Sequence, residues 1–183
     1  GIGDLAGLLS LETITNRLSD FADHALDACI EAIFGARYPG EPVRGFSVIA
    51  LGKHGSRELN YSSDIDPILL YDPTTMPHNE REDVADAAVR IGRRVSELLN
   101  ARDGDGYVFR VDLRLRPSPE ATPIALPVEA AIGYYESTAM GWEQAAFIRA
   151  RPAAAAAVGS AARAIAIMMR CFWPPENWNG KSS

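Results

Sequence analysis

The sequence is short of cysteine and of positive charge, and it contains no long apolar run. Its two cysteines, Cys29 and Cys171, stand far apart, with no CxxC spacing and no cluster of histidines beside them. A zinc site needs thiolates or imidazoles at close spacing, so none is expected, and the thiols read as small apolar filler. Lys and Arg number 18 against 24 Asp and Glu, a formal charge of −6. Non-specific grip on nucleic acid comes from cations neutralising phosphates, so a nucleic-acid partner is not expected. No apolar stretch reaches the roughly 18 residues of a membrane helix, and no basic segment precedes an apolar one as in a secretory leader. The expected setting is the cytoplasm, with no membrane partner. His24, His54 and His78 are isolated from one another, without a triad partner at readable spacing. A Walker loop is excluded because the GxxxxGK[ST] spacing is missing. The chain opens Gly1-Ile2-Gly3, without Met, which is expected of a fragment or a processed chain.

What remains is a chain of 183 residues, 47% hydrophobic and 23% charged, enough for one domain with a core and a small appendage. Leu11, Ile14, Leu18, Phe21, Leu26, Ile30 and Ile33 predict a helix from Leu11 to Phe34. Ser10 is placed to cap it, and Pro39-Gly40 lies at its end or in the loop beyond. Phe46 to Leu51 reads as a buried strand, Gly52 to Ser63 as a polar loop, and Asp64 to Tyr71 as a second strand. Asn79 with Glu82 resembles a capping box opening a helix that runs to Arg102. Its apolar stripe is Val84, Ala88, Ile91, Val95 and Leu98, and Gly104 is its stop. Tyr107 to Arg116 alternates strictly, which predicts a strand with Asp112 and the three arginines Arg110, Arg114 and Arg116 on its polar face. Thr122 to Leu126, bracketed by prolines, predicts a short edge strand. From Val128 onward the pattern is helical, including an Ala-rich stretch from Ala153 to Met169, and Pro174 to Ser183 reads as an irregular tail. The expected division is residues 1–127 as core and 128–183 as a helical subdomain with tail.

The chemistry concentrates in four places. Asp64 and Asp66 are two apart on a strand, so their carboxylates share a face while Ile65 turns to the core. Two such charges about 4 Å apart repel by roughly 1 kcal/mol in water and roughly 4 at an effective dielectric near 20. A cation between them relieves this, and an all-oxygen donor set suits Mg²⁺ or Mn²⁺. A solvated strand end carrying two acids is the plainer alternative. Asp112 supplies a third carboxylate if its strand neighbours the first, or else a surface ion pair with Arg110 and Arg114. Gly52-Lys53-His54-Gly55-Ser56 follows a strand directly, where glycines let backbone N–H groups approach a phosphate. Ser56 adds a hydroxyl donor, and His54 is a candidate to touch substrate. Ser63, just ahead of Asp64, is a further candidate to bind phosphate or nucleotide. Arg114 and Arg116, beyond Asp112, are built to bind phosphate bidentately, or else are simply solvated. His24 reads as a surface or interface residue, and Trp142 and Phe147 as helix packing rather than a base-stacking platform.

The run LGKHGSRELNYSSDIDPILLYD, then FRVDLRLRP, then YYESTAMGWEQAAFIRARP, closely resembles the glutamine synthetase adenylyltransferase/deadenylase family. The leading helix segment LSDFADHAL is similar to that family as well. The resemblance implies a mixed α/β, polymerase-beta-like nucleotidyltransferase core followed by a helical C-terminal subdomain. It implies Mg²⁺, or Mn²⁺, on Asp64, Asp66 and Asp112, with phosphate cradled by Gly52, Gly55 and Ser56. Lys53, Arg114 and Arg116 would position orthophosphate or nucleotide. The implied partners are glutamine synthetase, ATP or ADP, orthophosphate and, through a longer chain, a PII-type signal protein. The wording FRVDLRLRP with GYYES and GWEQ is closer to the half that removes AMP by phosphorolysis to ADP. The half that attaches AMP from ATP is the alternative, with Asp112 as the natural base for a tyrosine hydroxyl. A docking fragment without catalysis is a third reading. His54 stands where the family usually has Leu, Ser56 where it has Gly, and Pro67 where it prefers Leu. Proline removes a ladder N–H, so the second strand is expected at an edge or with a bulge.

Overall fold

The computed structural model describes residues 7–104 and 106–154. Among them, helix α1 spans Leu11–Arg37, strand β1 Phe46–Leu51, helix α2 Gly52–Gly55, strand β2 Asp66–Tyr71 and helix α3 Val84–Asn100. Strand β3 (Ala125–Pro127), helices α4 (Val128–Ser137) and α5 (Gly141–Phe147), and strand β4 (Arg151–Ala153) follow. The strands form one mixed sheet in the order β3-β2-β1-β4. β1 is antiparallel to β2 and β4, whereas β3 pairs with β2 in parallel. A parallel neighbour requires a crossover, and α3 lies within it.

Strand alternation divides the core into two. Phe46, Val48 and Ala50 of β1, with Leu69 and Tyr71 of β2, point to the side covered by α1 and α3. There they meet Leu26, Ile30 and Phe34 of α1, and Ile91, Val95 and Leu99 of α3. Ile49 and Leu51, with Ile68 and Leu70, point to the other side, against Val128, Ile132 and Tyr135 of α4 and Phe147 of α5. The sheet is therefore buried on both faces, which is why β1 and β2 read as unbroken apolar runs rather than as alternating ones.

Ser10 caps α1 as expected, its hydroxyl accepting from the Thr13 amide at 3.2 Å. The buried positions of α1 are Ile14, Ser19, Ala22, Leu26, Ile30 and Phe34, while Leu11 and Phe21 from the predicted stripe stay exposed. α3 starts later than expected. Asp83 is its cap, accepting from the Ala85 amide at 2.7 Å, and Glu82 instead pairs with Arg37 and Arg90. The helix ends at Asn100, before the predicted Arg102, and Leu99 rather than Leu98 is the buried residue of its last turn. Reading everything after Val128 as helical misses β4, which is the second antiparallel partner of β1 and covers its otherwise open edge. Ala153 belongs to that strand and Ala154 is buried just beyond it, whereas the rest of the Ala-rich stretch and the tail lie outside the described residues.

Candidate active site

β1 and β2 pair so that Leu51 stands opposite Asp66. The residue after β1, Gly52, therefore lies beside the first residue of β2. Gly52 has a φ of +56°, and a Cβ there would fall 2.5 Å from Asp66 Oδ2. Only glycine combines that backbone conformation with room for the carboxylate. Asp64 precedes β2 rather than lying within it, and Ile65 makes an isolated bridge.

That bridge is what brings in the third acid. The Ile65 amide donates to the Arg110 carbonyl and the Asp112 amide to the Ile65 carbonyl, each at 2.9 Å, pairing Ile65 in parallel with Val111. Asp64 and Asp66 flank Ile65; Arg110 and Asp112 flank Val111. One pair of main-chain bonds thus collects all four side chains. Pro67 fits the same arrangement without a bulge. By alternation its nitrogen faces the side of the Val111 bridge, in the gap before β3 begins its pairing at Leu69. β2 as a whole is an inner strand of the sheet, contrary to the edge position expected from that proline.

The predicted strand Tyr107 to Arg116 is not formed; only Val111 pairs. Val111 and Leu113 pack on the α1–α3 side of the sheet and Leu115 on the α4 side, so the segment turns around the end of the sheet instead of running along it. Asp112 helps to make that turn, its Oδ1 accepting the Arg114 amide at 2.9 Å.

The proximity of the acids shapes their electrostatics. Burial, the Asp112 charge and then the Asp64 charge push the Asp66 carboxyl up to about 6, against smaller pulls from Arg114 and Lys53. Hydrogen bonds from Arg114 hold Asp112 below the usual carboxylate range. Arg114 Nε lies 3.0 and 2.9 Å from the two oxygens of Asp112. Arg110 pairs with Asp64 and also donates to the Ser62 carbonyl at 2.6 Å. Arg110 is a site residue that the sequence reading left as a mere flank of Asp112. Its signal was present, since it shares the alternation phase of Asp112.

The phosphate candidates divide. Gly52 to Gly55 is a single helical turn rather than open loop, and Lys53 is exposed there, its charge felt at Asp66. The Ser56 hydroxyl is engaged, donating to Glu58 at 2.9 Å and to the Gly52 carbonyl at 3.2 Å. The Ser63 hydroxyl closes a turn with Asn60, 2.9 Å from its Oδ1. Arg116 does not reach the acids. Its guanidinium donates to the carbonyls of Leu113 and Pro119, both at 2.7 Å, and of Thr122 at 3.4 Å, pinning the loop before β3. The alternation that placed Arg116 on one face with Asp112 assumed a strand that the chain does not form. His54 is fully buried, with Nε2 at 2.7 Å from Asp23 of α1, so it does not face substrate. Phe147 is packed in the core as expected and stacks on Tyr135, but Trp142 is exposed. A cleft of about 1230 Å³ opens at the far end of β2, lined by Asp72, Thr74, Met76 and Arg44, away from the acids.

The donor set of Asp64, Asp66 and Asp112 fits a hard divalent cation: it is all carboxylate, and burial, with repulsion from Asp112 and Asp64, already raises its middle member. As the side chains lie, no group of three His, Cys, Asp or Glu among the described residues is gathered closely enough to hold a metal. Arg110 and Arg114 occupy the two outer carboxylates, and those pairs must open for a cation to enter.

Residues 1–164 match the family described as glutamate-ammonia ligase adenylyltransferase. The chain is 46% identical over 164 residues to the bifunctional glutamine synthetase adenylyltransferase/adenylyl-removing enzyme of Rhizobium meliloti (strain 1021), covering 84% of this chain and 17% of that protein. The protein of that name from Caulobacter vibrioides is 46% identical over 172 residues, 88% of this chain and 17% of the relative. That of Brucella suis biovar 1 is 44% identical over 162 residues, 82% and 16%. The chain thus spans about one sixth of the length of these relatives. Among the described residues no helix is long and apolar enough to cross a membrane. With a match running from the leading helix through both acid-bearing segments to beyond β4, the chain belongs to the glutamate-ammonia ligase adenylyltransferase family.

Proposed function

We propose that this chain is a metal-dependent nucleotidyltransferase domain that removes AMP from an adenylylated tyrosine of glutamine synthetase by phosphorolysis, releasing ADP. The observation that carries the proposal is the convergence of three carboxylates at the Ile65–Val111 bridge, next to the Gly52 turn. The names of the relatives support the substrate, and the wording FRVDLRLRP with GYYES and GWEQ supports the removing direction.

Asp64, Asp66 and Asp112 would hold Mg²⁺ or Mn²⁺. When bound, such a cation neutralises phosphoryl charge and aligns the attacking and leaving oxygens. Lys53 and Arg114, exposed beside the acids, orient orthophosphate and the nucleotide phosphate. An orthophosphate oxygen attacks the phosphorus of the adenylyl group, the bond from that phosphorus to the tyrosine oxygen breaks, and the tyrosine recovers its proton. Orthophosphate is already an anion, so this direction asks little of a base. Attachment instead requires a tyrosine hydroxyl of pKa near 10 to lose its proton. Arg114 holds Asp112 down, so a base role for Asp112 requires that pair to open.

The test uses the full-length polypeptide with radiolabelled orthophosphate and adenylylated glutamine synthetase. Label is expected in the β-phosphate of ADP, and Asp112→Asn is expected to remove it while leaving AMP transfer from ATP intact. Loss of transfer with phosphorolysis retained assigns the chain to the attaching half. Retention of both removes Asp112 from the chemistry.

A further inference from the structure

The partly buried polar cluster behind the Gly52 turn has no part in the chemistry above. Arg151 of β4 donates through Nη1 to Asp23 Oδ2 at 2.7 Å and through Nη2 to Asp23 Oδ1 at 3.0 Å. The same Nη2 donates to the main-chain carbonyl of His54, in α2, at 3.1 Å. Asp23 also meets His54 Nε2 at 2.7 Å, and burial opposes its charge while the His54 and Arg151 bonds win and hold it low. Three elements that are remote in sequence, α1, α2 and β4, are joined at one guanidinium. A salt bridge this enclosed is poor evidence for stability, since desolvation offsets most of its attraction. It is good evidence for a fixed geometry.

What it fixes is the turn that carries Lys53 and abuts Asp66. The Gly52 carbonyl accepts from the Ser56 amide at 3.1 Å, the Lys53 carbonyl from the Glu58 amide at 2.8 Å, and the His54 carbonyl from the Arg57 amide at 3.3 Å as well as from Arg151. Arg151 supplies the main-chain tie that reaches outside the turn, beside the His54 side chain's own bond to Asp23. Gly55 completes the seat, with the Arg149 carbonyl so close that a Cβ would lie 2.0 Å from it. Because Arg151 holds a main-chain carbonyl, the side chain at position 54 is secondary to it.

We infer that Arg151, held in a fork by Asp23, is a positioning residue that sets the Gly52–Gly55 turn, and with it Lys53, against the three aspartates. This rests on the reading of those aspartates as the catalytic centre. The activity to follow is whichever one Asp66→Asn abolishes in the full-length polypeptide, so the test does not depend on the direction of the reaction. Arg151→Met is expected to lower its kcat by roughly 10- to 100-fold, in keeping with the cost of small misplacements at a reacting centre. The KM for orthophosphate or nucleotide should change less than threefold. Arg151→Lys, which keeps one donor for the carbonyl, should recover at least fivefold of the loss. Val95→Ala, a core change in α3, serves as the control for destabilisation and should leave kcat within twofold. His54→Leu, which keeps the carbonyl, should lose less than Arg151→Met does. Unchanged kcat in Arg151→Met, a loss no different from that of Val95→Ala, or a larger loss in His54→Leu overturns the inference. Persistence of both activities in Asp66→Asn overturns the reading beneath it instead.

Discussion

Asp66→Asn is expected to reduce the nucleotidyl transfer of this domain by at least about 10³-fold, the scale of losing a principal electrostatic element of a catalytic centre, and to make the domain more stable. Asp66 is partly buried between Asp64 and Asp112, and its carboxyl sits at about 6 against an ordinary 3.8. Below the ordinary value the group is neutral in both folded and unfolded chains. As pH rises from the ordinary value towards the folded one, the unfolded chain ionises while the folded one does not, so the cost to the fold grows, and the full cost is present above about 6. Asparagine never pays that cost. The gain should therefore be absent near pH 3.5, grow with pH and level off above 7. One pKa unit is worth about 1.4 kcal/mol, and solvent screening at this half-open site leaves a gain on the order of 1 kcal/mol. Slower amide hydrogen exchange at Ile68–Leu70 in the full-length variant at pH 7, by roughly fivefold, would report it. Equal exchange at every pH would mean that the three carboxylates do not share a field.

Gly55→Ala should be, beside Gly45→Ala, one of the most damaging glycine-to-alanine changes among the described residues. The added Cβ would lie 2.0 Å from the Arg149 carbonyl oxygen, 2.7 Å from that of Ala50 and 3.1 Å from the Arg149 carbonyl carbon. All three are main-chain atoms, so no flexible side chain can move aside. Either α2 leaves the end of β1 or residues 149–151 leave α2, and the β4 edge of the sheet goes with them. Destabilisation of about 3 kcal/mol or more follows from overpacking at a site that cannot relax. Gly52→Ala makes an informative contrast. Its Cβ would strike Asp66 Oδ2, a side-chain atom that can move, and the left-handed backbone costs about 1–2 kcal/mol. Gly52→Ala should therefore lose activity with most of the fold retained, whereas Gly55→Ala loses soluble protein. Thermal unfolding and activity measured on both variants separate the two effects. Equal tolerance of alanine at both positions would contradict the described packing of the turn.

The parts of the molecule readable in advance are those where one local rule decides the outcome. β1 and β2 were legible because short, mostly apolar segments such as Val48–Leu51 and Ile68–Tyr71 have no other good place to go than a two-sided sheet. α1 was legible from its stripe and its serine cap. Asp64 and Asp66 were found by spacing, and Asp112 by its phase relative to Val111. The alternation of Tyr107 to Arg116 misled because period two reports which side chains share a phase, not whether a ladder partner exists. Val111 alone finds one, and Leu115 crosses to the other face of the sheet. Arg116 was lost with that strand. The Asp23–Arg151 fork was invisible because it joins residues 128 apart in sequence, and its aspartate lies on the flank of an amphipathic helix, where an acid is unremarkable. Whether a polar side chain faces phosphate or its own backbone, as with Ser56 and Ser63, depends on loop closure that no spacing rule encodes.

The central claim is that Asp64, Asp66 and Asp112 together bind the divalent cation on which transfer depends. Its most direct test is a Mn²⁺ titration followed by electron paramagnetic resonance, comparing the full-length polypeptide with a variant carrying Asp64→Asn, Asp66→Asn and Asp112→Asn. The variant should bind one or two fewer Mn²⁺ ions per chain, as expected for a site of the two-metal class, with its exchange-protected core intact. Superimposable isotherms would contradict the claim, leaving the three aspartates as partners of Arg110 and Arg114 alone.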